Sequence, residues 1–166
     1  IARKRNLVVI EDAAHALGAV SHGRPVGSLA DLTIFSFHPV KHITTGEGGA
    51  VVTNNKNYYK KMTAFRSHGM IREKERLSDW HGPWYHEMQY IGYNYRITDI
   101  QCALGISQLK KLDRFLEKRQ ALVEYYSLEL GGLENIELPV TLPGVSPAWH
   151  LYIIRLKGDR PRRREL

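Results

Sequence analysis

The chain has 166 residues, 43% of them hydrophobic and 25% charged, with 14 Gly, 7 Pro and one Cys, the balance of an ordinary globular domain rather than of a disordered or collagen-like chain. No apolar run approaches the roughly 18 residues of a membrane helix, and the lone Cys102 cannot close an internal disulfide, so a protein without a membrane anchor and with a cytoplasmic setting is expected. The formal net charge of +7 is concentrated at the end, where Arg155, Lys157, Arg160, Arg162, Arg163 and Arg164 outnumber Asp159 and Glu165; with no aromatics interleaved in Arg160 to Arg164, this reads as a solvated terminus and not as a nucleic-acid surface. The chain starts at Ile1 and stops just after a strand-like segment, which is expected of a piece cut from a longer protein.

Leu7-Val8-Val9-Ile10 is a continuous apolar run followed by Glu11-Asp12, the pattern of a buried strand in a parallel sheet with Asp12 at its carboxyl end. Leu32-Thr33-Ile34-Phe35-Ser36-Phe37 predicts a second strand, stopped by His38-Pro39. Ala50-Val51-Val52-Thr53 predicts a third, entered through Gly46-Glu47-Gly48-Gly49. A helix is expected over 55–66, with Tyr58, Met62 and Phe65 on one side.

The segment 69–95 is polar, aromatic and weakly periodic, and is expected to be a long functional loop whose Trp80, Trp84 and Tyr85 serve either ligand stacking or subunit packing. Thr98-Asp99-Ile100-Gln101 is a capping-box pattern opening a helix to about Lys111 that buries Ile100, Ala103, Leu104 and Leu109. Leu112, Phe115, Leu116, Leu122, Val123, Tyr126 and Leu130 continue the stripe in a second helix, ended at Gly131-Gly132. After it, 139–147 reads as a linker and 148–156 as a strand. The expected division is 1–110 as the end of a large domain and 111–166 as a linker helix with the start of a smaller one.

Chemistry-bearing residues fall at the strand ends: Asp12 with His15, Ser36, and Lys41 followed by a glycine-rich turn. In a phosphate loop the glycines precede the lysine and Ser or Thr follows it; His42 follows Lys41 and the glycines come later, which excludes a nucleotide-triphosphate loop. An aldehyde cofactor fits better. Pyridoxal phosphate requires a lysine amine, a carboxylate to keep its ring nitrogen protonated, and donors for its phosphate, and Lys41, Asp12 and Ser36 offer one of each. A second reading is a metal-dependent hydrolase or metal-binding module built on Asp12, His15, His38 and His42, although that spacing lacks the helical Glu of a zincin.

The ordered blocks Val9-Ile10-Glu11-Asp12-Ala13-Ala14-His15, Gly27-Ser28, Phe35-Ser36-Phe37-His38-Pro39-Val40-Lys41, Thr45-Gly46-Glu47-Gly48-Gly49-Ala50 and Asn94-Tyr95-Arg96 resemble the DegT/StrS family of sugar aminotransferases over nearly the whole chain. The His-Pro-Val-Lys-His and Thr-Thr-Gly-Glu-Gly-Gly wording is most similar to the branch of pseudaminic acid biosynthesis. The resemblance implies an α/β fold, a fragment of the large domain of a fold-type I transferase with a mainly parallel central sheet, and pyridoxal phosphate as cofactor.

By the same resemblance Lys41 is the residue that links covalently to the cofactor and moves the proton. Asp12 pairs with its ring nitrogen, His15 lies near the ring, Ser36 binds the phosphate, and Asn94 reaches the phosphate of a partner subunit in a homodimer with shared sites. The implied reaction is a ping-pong transfer of an amine from L-glutamate to a nucleotide-sugar substrate, a UDP-linked 4-keto-6-deoxy-N-acetylhexosamine. The family's earlier glycine-rich segment and ring-stacking aromatic are not in this chain, so the chain alone is expected to be inactive. A non-catalytic relative is the alternative within the family, against which Lys41 and Asp12 stand intact; a sugar dehydratase would carry histidine in place of Lys41.

Overall fold

The computed structural model describes residues 1–157; the basic cluster Arg160, Arg162, Arg163 and Arg164 lies outside the described residues. A short helix α1 (Ala2–Arg5) opens the chain, and the first strand β1 (Ile10–Asp12) begins where the 7–10 apolar run ends. Contrary to expectation Leu7, Val8, Val9 and Ile10 are exposed. The reason is that β1 is a sheet edge, with β4 on one side and no described strand on the other.

Between β1 and the next long strand lies a hairpin, β2 (Val20–Ser21) and β3 (Arg24–Pro25), turned by His22 and Gly23 at φ of 50° and 74°, the two left-handed residues that a tight hairpin turn requires. Strand β4 (Leu32–Ser36) then runs parallel to β1, with Asp12 opposite Ile34. Strand β5 (Gly49–Val52) returns antiparallel on β4, Ser36 opposite Gly49. The connection 37–48 holds no helix, and a parallel return would need a crossover, so the β1-β4-β5 sheet joins one parallel pair to one antiparallel pair. Under it Thr33, Phe35 and Ile43 are buried, and the Thr33 hydroxyl donates to Glu11 Oε2 at 3.0 Å.

Helix α2 (Lys56–Phe65) starts where Asn55 Oδ1 accepts from the Asn57 and Tyr58 N–H groups at 2.9 and 3.3 Å, a cap worth about 1 kcal/mol. Tyr58, Met62 and Phe65 are half-buried along one side, as their spacing predicts. The 69–95 segment is not an unstructured loop: β6 (Met70–Ile71) and β7 (Glu87–Met88) pair antiparallel, with a single 3-10 turn over Lys74–Arg76. Sequence periodicity missed it because two-residue strands are too short to alternate. The hairpin is held from inside by Glu87, whose carboxylate accepts from the Ser78 and Asp79 N–H groups at 2.8 and 3.1 Å. The Ser78 backbone donor, and after it the Gln89 amide, hold the Glu87 pKa down at about 2. Gly69 closes the segment against its far end: it sits at φ 72°, and an added Cβ would stand 1.8 Å from the Tyr90 carbonyl oxygen.

Helix α3 (Asp99–Leu109) opens with the expected capping box, Thr98 and Gln101 serving each other's backbone N–H. Its burial differs from expectation. Ile100, Ala103, Leu104 and Leu109 are exposed and Gly105 is buried, because the side of α3 that meets the described chain is the Gly105 side, where an added Cβ would come 2.9 Å from the Thr45 methyl. In α4 (Leu112–Leu130) Val123 is buried, Leu112, Phe115, Leu116 and Leu130 are half-buried, and Leu122 and Tyr126 are exposed.

The remaining strands are short. β8 (Ile136–Glu137) pairs with β10 (Arg155–Leu156), and β9 (Val145–Ser146) adds to β2. The 139–147 stretch is therefore tied to the hairpin rather than free, and of the strand expected over 148–156 only its last two residues form one. Among the described residues no helix is long and apolar enough to cross a membrane.

Candidate functional site

The carboxyl ends of β1 and β4 point the same way, with the Ala13 N–H donating to the Ile34 carbonyl at 2.9 Å. Asp12 closes β1, and its Oδ1 accepts from the Ala14 N–H at 3.1 Å, which turns the chain out of the sheet and toward His15. Ser36 closes β4, and its Oγ accepts only a long 3.4 Å contact from the His38 N–H, leaving the hydroxyl proton free to donate. Loops at the carboxyl ends of parallel strands are where α/β folds place ligands.

Lys41 follows on a braced loop. Its N–H donates to the His38 carbonyl at 3.0 Å, and the chain then folds back so that the Thr45 N–H donates to the Phe37 carbonyl at 3.0 Å and the Phe37 N–H to the Gly48 carbonyl at 2.8 Å. The Thr44 hydroxyl adds a second bond to the Phe37 carbonyl at 3.1 Å, and the Gln101 amide of α3 donates to the Glu47 carbonyl at 3.0 Å. His42, Ile43 and Thr45 are buried, so the lysine stands on an anchored turn. Lys41 itself is half-buried and enters none of the ion pairs among the described residues.

His42 faces inward and is 4% exposed. Its Nε2 bonds the Ala148 carbonyl at 3.0 Å, which assigns Nε2 as the protonated nitrogen, since a carbonyl only accepts. Burial, and after it the positive field of the Arg119 guanidinium, lowers the His42 pKa to about 4, against the opposing pull of that carbonyl. One segment further, the His150 ring lies 4.2 Å from the ring of His15 and 5.4 Å from that of His42. Burial lowers the His150 pKa too, followed by the neighbouring His15, Lys41 and Arg119. His15 and His150 line one groove with Ala148 and Trp149.

Asp12 and Ser36 thus close neighbouring parallel strands at one end of the sheet, with His15 and Lys41 on the segments that follow them. An amine without a counter-ion among the described residues, a carboxylate, and a hydroxyl with unused capacity form the donor set that pyridoxal phosphate calls for. Asn94 lies elsewhere in the network: it is exposed, on an isolated bridge to Ser67. The residues of the metal reading are not gathered: among the described residues no group of three His, Cys, Asp or Glu side chains is placed to hold a metal ion, and His38 turns toward Glu47 at 4.0 Å. Sequence reasoning missed His150 and Arg119, and the signal that pointed to His150 was a lone histidine inside the apolar run 148–154.

The family model of the DegT/DnrJ/EryC1/StrS aminotransferase family matches residues 1–166. A Campylobacter jejuni protein, UDP-4-amino-4,6-dideoxy-N-acetyl-beta-L-altrosamine transaminase, is 54% identical over 129 residues, which are 78% of this chain and 32% of that protein. An uncharacterised protein of Methanocaldococcus jannaschii is 43% identical over 160 residues, 96% of this chain and 42% of its own length. Among solved structures, Helicobacter pylori PseC, an aminotransferase involved in the biosynthesis of pseudoaminic acid, superposes with a TM-score of 0.84 at 37% identity, over 94% of this chain and 40% of that one. A putative sugar aminotransferase of Streptococcus pneumoniae in its PLP form gives a TM-score of 0.79 at 33% identity, over 92% of this chain and 38% of that one. The chain therefore spans between about a third and two fifths of the length of these relatives. With the family model matched over residues 1–166, the chain belongs to the DegT/DnrJ/EryC1/StrS aminotransferase family.

Proposed function

We propose that the protein containing this chain is a pyridoxal-phosphate-dependent aminotransferase that moves an amine from L-glutamate to a nucleotide-linked 4-keto-6-deoxy sugar of the UDP-N-acetylhexosamine type. The observation that carries the reading is Lys41, a half-buried amine with no ion-pair partner among the described residues, on a braced turn at the end of the sheet that also ends in Asp12 and Ser36. The names of the Campylobacter and Helicobacter relatives support the sugar class, and the PLP and PMP forms of the Streptococcus protein support the cofactor. When bound, pyridoxal phosphate supplies an aldehyde that captures amines and a ring that withdraws electrons from the carbon bearing the amine.

This chain's residues do the rest. Lys41 Nζ holds the cofactor and, once freed, carries the proton to and from the substrate carbon. Asp12, with one oxygen held by the Ala14 N–H, keeps the opposing ring nitrogen protonated. Ser36 donates its free hydroxyl proton to the phosphate, and the exposed Asn94 serves the phosphate of a second copy, which makes the working form a homodimer with shared sites. Residues 1–110 belong to the large domain and 111–166 to the linker helix and the start of the small one, so the 166-residue chain does not turn over by itself. The test is to incubate the full-length protein with pyridoxal phosphate, glutamate and the UDP-linked 4-keto-6-deoxy sugar and follow the amino sugar and 2-oxoglutarate by mass spectrometry. Stoichiometric formation of both is expected; a bound cofactor with no amine transferred to any keto-sugar contradicts the reading.

A further inference from the structure

Three separate interactions converge on the segment 148–150, far more than a connecting stretch needs. His42 bonds the Ala148 carbonyl across the chain at 3.0 Å. Arg119 of α4 donates to the Trp149 and His150 carbonyls at 3.1 and 3.3 Å. The Trp149 indole N–H donates to Gln120 Oε1 at 3.0 Å. Between these anchors Trp149 is held at φ 47°, a left-handed conformation that a bulky side chain adopts only under constraint. Strain of this kind persists where the surroundings over-determine it, and here its product is the placement of one ring: His150, tilted 38° to the ring of His15 with centroids 4.2 Å apart.

We propose that His150 is a positioning residue of the amine-transfer site, whose ring fixes the ring of His15 beside the space that Lys41 faces. The groups around His150 are His15, His42, Lys41 and Arg119. Burial, and after it His15, Lys41 and Arg119, disfavours the charged form of the imidazole. A neutral ring packs on His15 and beside the Lys41 ammonium without repulsion, whereas a lysine or arginine there would push the amine away. The role requires a flat ring and no charge, so an aromatic hydrocarbon can take it over. The proposal rests on the aminotransferase reading for what His15 does, and on the ring geometry alone for where His15 stands.

The experiment uses the full-length protein with His150→Ala and His150→Phe, measuring melting temperature, pyridoxal phosphate affinity, and kcat and KM for glutamate. His150→Ala is expected to bind the cofactor and lose about tenfold in kcat with little change in KM, within the cost of displacing a group that faces the reacting atoms, and His150→Phe to recover most of that loss. The second readout needs no cofactor: carbethoxylation of His15 by diethyl pyrocarbonate, followed by peptide mass spectrometry, is expected to quicken in His150→Ala and not in His150→Phe. Full activity and unchanged His15 reactivity in His150→Ala overturn the proposal, as does a His150→Phe variant no better than alanine by both measures, which would assign the role to the imidazole nitrogens. A wild-type protein that binds no pyridoxal phosphate overturns the aminotransferase reading instead, and the His15 reactivity then decides the ring placement by itself.

Discussion

His42 turns a buried contact into a pH dependence whose size can be worked out. Its pKa falls from 6.5 to about 4 on folding, so the unfolded chain takes up a proton that the folded chain refuses between those values. The stability tied to neutral His42 is therefore complete above pH 6.5 and is lost as the pH falls through about 4. Linkage gives a loss of about 2 kcal/mol between pH 7 and pH 5, and about 3 kcal/mol once both forms are protonated. His42→Gln removes the titration while its terminal amide can still donate to the Ala148 carbonyl now bonded at 3.0 Å. Urea unfolding of wild type and variant at pH 7 and pH 5 isolates the residue with its coupling to His15 and His150, since titrating groups that do not interact with His42 cancel in the difference. The variant is expected to lose about 2 kcal/mol less than wild type over that interval. Equal losses would mean that His42 is not held neutral, and the account of the buried histidine would be wrong.

Three further outcomes follow from the geometry. Gly69→Ala is expected to lower the unfolding free energy by about 1–3 kcal/mol, through positive φ and the clash with the Tyr90 carbonyl; an unchanged melting temperature would refute the close approach. Glu87→Gln is expected to abolish hydrogen-exchange protection of the Ser78 and Asp79 amides. In the wild type that protection is complete above the carboxylate's ordinary 4.5 and fades as pH falls through about 2, and protection that survives the substitution would refute the clamp. Mixing inactive Lys41→Ala and Asn94→Ala full-length subunits is expected to restore about a quarter of wild-type turnover, because half the dimers would carry one intact composite site; no recovery would place Asn94 outside a shared site.

How much was legible depends on the range of the forces involved. The strand-end places of Asp12 and Ser36 were readable because each closes a largely apolar run, and the Thr98 capping box because its partner is three residues away. The hairpin inside 69–95 was not, since its order comes from Glu87 reaching back to Ser78 and Asp79. The apolar run 148–154 reads as a strand, and His42, Arg119 and Gln120, distant in sequence, are the groups that hold the Trp149 turn. Ile100 and Leu104, one turn apart on α3, make an apolar pair suited to burial; the pattern does not say what covers it, and they are 85% and 41% exposed.

The most direct test of the central claim is the absorbance spectrum of the full-length protein with pyridoxal phosphate, beside a Lys41→Ala variant, before and after glutamate. The account predicts a visible band of lysine-bound cofactor in the wild type that converts to the amine form when glutamate is added, and that is absent from the variant. A band that persists unchanged in Lys41→Ala, or no band in either protein, would contradict the assignment of Lys41 and with it the proposed chemistry.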